Sequence, residues 1–185
     1  MGGGSSDAAA CLKGLNRLWN AGLGNKELIK LAAQLGSDVP FFIMDGAAIG
    51  RGRGEILSPL KSQLKGWVAV IKPEFGISTA QAYKALDREK RVPLSRNAIE
   101  ITASAVKAGR MEGLSIYNDF EAVAFRMHPE IDDIILELRK TGAIQAFMTG
   151  SGSAVIGLFK SDATARKAAR TISKTRKILG LTCQI

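Results

Sequence analysis

Helix-length amphipathic segments and short apolar runs follow one another along this chain, each cut off by glycine, serine or proline. That order constrains the fold more than any single residue does. Ala8, Leu12, Leu15 and Trp19 recur near helical spacing. They predict a helix from Ser5 or Ser6, as N-cap, to about residue 21, with Asp7 in its first turn and Gly22 as its stop. A second helix is predicted over about 26–35, ended by Gly36. Asp38 then leads into the apolar run 39–44, which reads as a short buried strand. A turn at Asp45 and Gly46 follows, and then a hairpin of 47–50 with 55–58 around a glycine-rich turn. Beyond residue 66 the pattern gives a strand at 67–71 and helices at 78–86, about 95–107, from near 118, and from 129 to just before Gly142. Strands at 147–149 and 154–159 flank a Gly150-Ser151-Gly152 turn, and a helix at 162–177 precedes a last strand at 181–185. Such an order argues for an α+β fold with helices packed on a mostly antiparallel sheet, and for a soft boundary at 59–66.

Bulk properties exclude several classes. Hydrophobic residues make up 46% of the 185 positions, enough for a real core. No apolar run approaches the ~18 residues of a membrane span, and the first residues lack the basic-then-apolar pattern of a secretory leader. Cys11 and Cys183 are far apart and the chain has one histidine, His128, so no zinc-like spacing arises and two reduced cysteines are expected. The net charge of +9 fits a solvated basic surface or a phosphate-bearing partner. The densest basic cluster, 166–177, holds no aromatic residue for base stacking, which speaks against nucleic acid. His128 before Pro129 reads as a surface residue at a helix start.

Gly2-Gly3-Gly4-Ser5-Ser6-Asp7 opens the chain. Glycines let backbone N–H groups approach a ligand, and a helix N-terminus favours phosphate. Serine hydroxyls add donors or help hold Mg²⁺. No Gly-Lys-Ser/Thr follows, so this is not a Walker loop, and it does not fit G-x-G-x-x-G. A flexible linker has the same composition. Asp38 lies where an aspartate serves as a turn or capping residue. The Gly150–Gly152 segment reads as a hairpin turn, and Tyr83 as an aromatic on the core face of a helix or a platform for a base.

Motifs in order resolve these alternatives through a resemblance. Residues 2–10, Gly-Gly-Gly-Ser-Ser-Asp-Ala-Ala-Ala, resemble the second signature of the GHMP kinases, and Met148-Thr149-Gly150-Ser151-Gly152-Ser153 resembles the third. Leu15-Asn16-Arg17-Leu18-Trp19, the run from Leu35 through Asp38 to Phe42, Gly52-Arg53-Gly54-Glu55, Ile77-Ser78-Thr79 and Asn118-Asp119-Phe120-Glu121 narrow the likeness. They point to the branch that phosphorylates the 2-hydroxyl of a cytidyl-diphosphate-linked methylerythritol in non-mevalonate isoprenoid synthesis. The resemblance implies a two-lobed fold: an incomplete N-terminal ATP-binding lobe over 1–62, and a C-terminal lobe over 63–185 with helices on a ferredoxin-like antiparallel sheet. It implies ATP phosphates on Gly2, Gly3, Gly4, Ser5 and Ser6 with Mg²⁺ bridging them. Asp38 becomes the base or orienting carboxylate, Gly150, Ser151 and Gly152 an active-site loop, and Thr79 and Tyr83 part of a cytidine pocket. Arg51 and Arg53 are further phosphate candidates. A monomer or homodimer in a bacterial cytoplasm or a plastid is implied.

Relatives in that family carry an earlier motif with a lysine near the acceptor hydroxyl, and this sequence does not contain it. The chain is accordingly expected to be a truncated or mis-started reading frame with negligible turnover alone. Three readings stand beside the main one: another GHMP kinase acting on mevalonate, homoserine or a sugar; an RNA-binding module; and a non-catalytic dimerisation module. RNA binding by a sheet needs exposed aromatics. Aromatics are only 6% of the chain, and Phe41, Phe42, Phe147 and Phe159 sit in apolar runs that read as core.

Overall fold

A computed structural model describes residues 2–44, 46–52, 54–86, 96–176 and 178–185. Contacts divide the chain into two compact units, residues 1–62 and 63–185.

The first unit is three helices and a hairpin: α1 (Gly3–Leu18), α2 (Asn25–Leu35), α3 (Val39–Ile43), β1 (Ala47–Arg51) and β2 (Ile56–Leu60). α1 starts three or four residues earlier than a serine N-cap suggests. Gly2 is its N-cap at φ 67°, and no side chain caps it. Ser6 Oγ instead donates back to the Gly3 carbonyl at 2.7 Å. The helix ends at Leu18, before Asn20, which sits at φ 49°.

The run 39–44 is a helix, not the strand its apolar composition suggests. Val39, Pro40 and Ile43 are the buried positions. That is the spacing of one helix face, whereas a strand would bury alternate residues. Proline also suits a first helical turn, where its missing N–H costs nothing. Ala9, Leu28, Ala32, Val39 and Ile43 form this unit's core, with Leu12 and Phe42 partly buried beside it. Trp19, expected on the inner stripe, is 70% exposed, and Phe41 is also exposed. The hairpin forms as expected, with Ala47 opposite Leu60 and Arg51 opposite Ile56. Arg53 and Asp45 lie outside the described residues.

The second unit runs β3 (Trp67–Lys72), α4 (Thr79–Leu86), α5 (Arg96–Lys107), a short 3-10 turn at Met111–Gly113, α6 (Phe120–Met127), α7 (Glu130–Lys140), β4 (Gln145–Met148), β5 (Val155–Phe159), α8 (Asp162–Arg176) and β6 (Leu179–Gln184). The strands lie in the order β4-β5-β3-β6, all antiparallel. The first strand of the unit sits between the third and fourth, the ferredoxin-like arrangement. The expected helix starts at Ser95 and end at Lys177 fall outside the described residues.

Strand alternation gives the sheet two apolar faces. Ala69, Ile71, Val155 and Phe159 face the helices and pack with Ile131, Ile134, Leu138 and Ile172. Val68 and Leu158 face the other way, with Met111 buried beside them and Phe147 partly buried. Arg176 ties α8 to α7 through Glu137 at 2.5 Å, and this carboxylate holds the guanidinium above its ordinary range. His128 is the C-cap of α6 and its ring stacks on Phe75 at 4.1 Å, so it belongs to a helix junction and is half-buried. Cys11 and Cys183 are free and exposed. No helix among the described residues is long and apolar enough to cross a membrane.

The first unit's core is small and alanine-rich, and a two-stranded hairpin adds little stability of its own. Hydrogen exchange on the intact chain should therefore show α1 amides exchanging at least about 100-fold faster than those of β3 and β5. Equal protection in the two units would overturn this expectation.

Candidate functional site

In the first unit the site is built on Gly2. Its φ of 67° opens α1, and a Cβ there would fall 2.9 Å from Cζ of Phe42. Glycine is thus required twice, for the left-handed backbone and for the approach of the ring. The Ser6 N–H bonds to the Gly2 carbonyl at 2.9 Å. That leaves the N–H groups of Gly3, Gly4 and Ser5 as the helix's orphan donors. Space beside Gly3 and Gly4 is open, since a Cβ at either would meet no atom within 4 Å. The arrangement can hold an oxyanion: aligned donors on the positive end of a sixteen-residue helix.

Phe42 belongs to α3, and Asp38 begins that helix one turn earlier. The Asp38 side chain makes no capping hydrogen bond to α3, and it is exposed. Its carboxylate is therefore not consumed by the local role that composition alone would assign. Gly54 of the hairpin turn approaches it, so that a Cβ there would lie 3.9 Å from Asp38 Oδ1. Arg51 donates to Ser58 Oγ across the hairpin at 3.1 Å. Two residues to which the sequence assigned no role hold the frame. Lys13 Nζ donates to the Phe42 carbonyl at 3.0 Å, and Asn16 pairs with both backbone groups of Leu23. The i,i+4 contacts of a helix do not predict such long-range bonds.

In the second unit the structure draws together motifs that lie far apart in sequence. The turn at 150–153 joins β4 to β5, with Gly150 at φ 60° and Gly152 at φ 92°. A Cβ on Gly152 would fall 2.8 Å from Met148 Sδ and 2.9 Å from Ile77 Cδ1. Asn118 Nδ2 donates to the carbonyls of Met148 and Gly150, both at 2.9 Å, and Glu121 Oε1 accepts from the Met148 N–H at 2.8 Å. Thr79 Oγ1 and Ser151 Oγ are hydrogen-bonded at 3.1 Å. Tyr83 meets Phe120 edge-on at 5.0 Å and stays half exposed. Thr79, Tyr83 and the glycine turn thus share one connected surface.

Beneath it Ser153 is fully buried. Its hydroxyl donates to the Phe75 carbonyl at 2.5 Å and accepts from Lys72 Nζ at 3.1 Å. Lys72 also donates to the carbonyls of Pro73 and Phe75. The sequence offered no signal for Lys72, whose partner Ser153 arrives from 81 residues away. Nearby, the Tyr117 phenol is held above its ordinary range by partial desolvation and by a hydrogen bond to the Asp119 carboxylate.

Gly152→Ala should cost about 2 kcal/mol of unfolding free energy in urea titration, from backbone strain and crowding together. A loss below about 0.5 kcal/mol, the range of an ordinary surface change, would show that the turn rearranges freely.

Comparison with known proteins agrees with this geometry. Residues 1–46 match the family model "GHMP kinases N terminal domain", and residues 101–177 match "GHMP kinases C terminal". The 4-diphosphocytidyl-2-C-methyl-D-erythritol kinase of Moorella thermoacetica is 42% identical over 178 residues, covering 95% of this chain and 62% of that protein. The enzyme of the same name from Syntrophomonas wolfei is 40% identical over 168 residues, 91% of this chain and 59% of the relative. The chain thus spans about three-fifths of the length of these curated relatives. A crystal structure of 4-(cytidine 5'-diphospho)-2C-methyl-D-erythritol kinase superposes with a TM-score of 0.81 at 33% identity, over 99% of this chain and 65% of that one. A homoserine kinase from Cytophaga hutchinsonii shares the fold with a TM-score of 0.80 at 16% identity, over 100% of this chain and 64% of the other. With both the N-terminal and the C-terminal models matched in order, and the glycine turns of both units on the matching motifs, this chain belongs to the GHMP kinase family.

Proposed function

We propose that this chain carries the phosphate cradle, the acceptor carboxylate and the nucleoside-side surface of a kinase. That kinase moves the γ-phosphoryl group of ATP to the 2-hydroxyl of 4-diphosphocytidyl-2-C-methyl-D-erythritol, a step of non-mevalonate isoprenoid synthesis. The observation that carries the reading is the start of α1: three orphan amides behind a glycine that Phe42 admits only without a Cβ. The names of the relatives supply the substrate. In this reading residues 1–62 are part of the ATP-binding N-terminal domain and residues 63–185 are the C-terminal domain.

Phosphoryl transfer asks a protein mostly for positioning and for neutralisation of charge. The amides of Gly3, Gly4 and Ser5 donate to phosphate oxygens, and the α1 dipole favours the anion over water. Asp38 orients the acceptor hydroxyl and takes its proton as the new P–O bond forms. Thr79 and Tyr83 receive the cytidine end, Tyr83 offering a ring face, while the turn at 150–152 borders the same surface. No group of three or more His, Cys, Asp or Glu among the described residues would hold a metal by itself. In this reading Mg²⁺ would be held through substrate phosphates together with one serine hydroxyl or carboxylate, as this ion prefers. When bound it would neutralise phosphate charge. A cytoplasmic or plastid setting and a monomer or homodimer belong to the same reading.

Two measurements test it. In nuclear magnetic resonance titrations of the chain, ATP should shift the amides of Gly3, Gly4 and Ser5, and cytidine diphosphate those of Thr79 and Tyr83. Absence of ATP shifts at α1 would sink the cradle. In a chimera that supplies the N-terminal part of the Moorella relative, Asp38→Asn should lower turnover at least about 100-fold while leaving the ATP KM within about threefold. Retention of more than a tenth of the turnover would remove Asp38 from the mechanism. Equal turnover of mevalonate or homoserine would reassign the substrate.

A further inference from the structure

The outer edge of the sheet in the second unit has the features of a docking strand. β6 pairs with β3 on one side only, and it is the last strand in the order. Gly66 and Ile185 exchange both backbone hydrogen bonds, at 3.3 and 3.0 Å. Antiparallel pairs alternate between bonded and non-bonded, so Cys183, Leu181 and Leu179 turn their backbone groups toward β3. Gly180, Thr182 and Gln184 turn theirs outward, and no backbone partner meets them among the described residues.

Side chains divide along the same alternation. Thr182 and Gly180 lie opposite Ala69 and Ile71, on the helix side. Leu179 and Leu181 lie on the other face and are each 57% exposed. A cleft of about 260 Å³ runs where this edge meets α8, lined by Arg166, Arg170, Gly180, Leu181 and Thr182. Gly180 makes the close approach of α8 possible, since a Cβ there would overlap Ser173 Oγ. Arg166 keeps one ion pair, to Asp162 at 2.6 Å, while Arg170 has none among the described residues.

We propose that β6 accepts an extended segment of a partner protein in which acidic and apolar residues alternate. The added strand extends the sheet through the backbone groups of Gly180 and Thr182, the mode of strand addition. Its side chains alternate across the sheet as those of β6 do. One set therefore enters the cleft beside Arg166 and Arg170, where carboxylates are complementary, and the other extends the Leu179 and Leu181 face. Charge selects this partner over a second copy of the chain. Two-fold pairing of β6 with itself would set the arginines of each copy near those of the other, in a protein of net charge +9.

The test titrates the intact chain with two capped hexapeptides, one alternating Glu and Val and the other Lys and Val. Residue-resolved hydrogen exchange is the readout. The Glu–Val peptide should slow exchange at Gly180, Thr182 and Gln184, and the Lys–Val peptide should bind at least about tenfold more weakly. Arg170→Glu, on an exposed helix face, should reverse that order. Thr182→Pro removes an outward N–H while sparing the β3 ladder, and should abolish binding of either peptide. No slowing with the Glu–Val peptide, or equal affinity for both peptides, would overturn the proposal. So would protection of β6 that rises with protein concentration alone, because that would assign the edge to a second copy.

Discussion

Both halves of this molecule depend on places where the backbone must come closer than a Cβ allows. At Gly2 the obstacle is the Phe42 ring, and at Gly152 it is Met148 and Ile77. Each contact presses a glycine turn onto an apolar side chain, partly buried at Phe42 and buried at Met148, that its own core holds still. Ile43 and Val39 fix the short helix under Phe42, and the helix-side core fixes Met148. The turns gain rigidity from hydrophobic packing beneath them and keep their polar edge for solvent or ligand. Donors already in place need no rearrangement, which is the preorganisation that the proposed phosphate cradle would use.

Two polar knots complete the design in the second unit. Asn118 holds the turn from the front by two carbonyls, and Lys72 with Ser153 holds it from below through the Phe75 carbonyl. The buried serine is satisfied in both directions, as donor and as acceptor, so its burial leaves nothing unpaired. The Phe75 carbonyl takes two donors, which makes the short loop after β3 part of the site's scaffold.

Much of this was legible in the sequence, for identifiable reasons. The strands of the second unit were readable because a sheet with two apolar faces leaves short, continuous apolar runs, as at 67–71 and 155–159. The ferredoxin-like order followed from the resemblance, not from any local pattern. The run 39–44 misled because six apolar residues fit a strand or a buried helical turn equally well, and only packing against α1 and α2 decides. The start of α1 misled because serine is the better cap by propensity, yet the close contact with Phe42 favours glycine at that position. Asp38 and Thr79 were visible as motif members, while Lys13 and Lys72 were not, since each reaches a group distant in sequence, the Phe42 carbonyl for Lys13 and the Ser153 hydroxyl for Lys72. Composition carries no trace of such bonds.

The two thiols have a use beyond packing. Cys11 rides on α1 and Cys183 on β6, both free and exposed, one in each compact unit. The native chain therefore comes with a single attachment point per unit for a thiol-selective spin label or fluorophore. A doubly labelled sample yields an inter-unit distance distribution without any engineered residue, and its width reports whether ligands draw the units into one fixed arrangement.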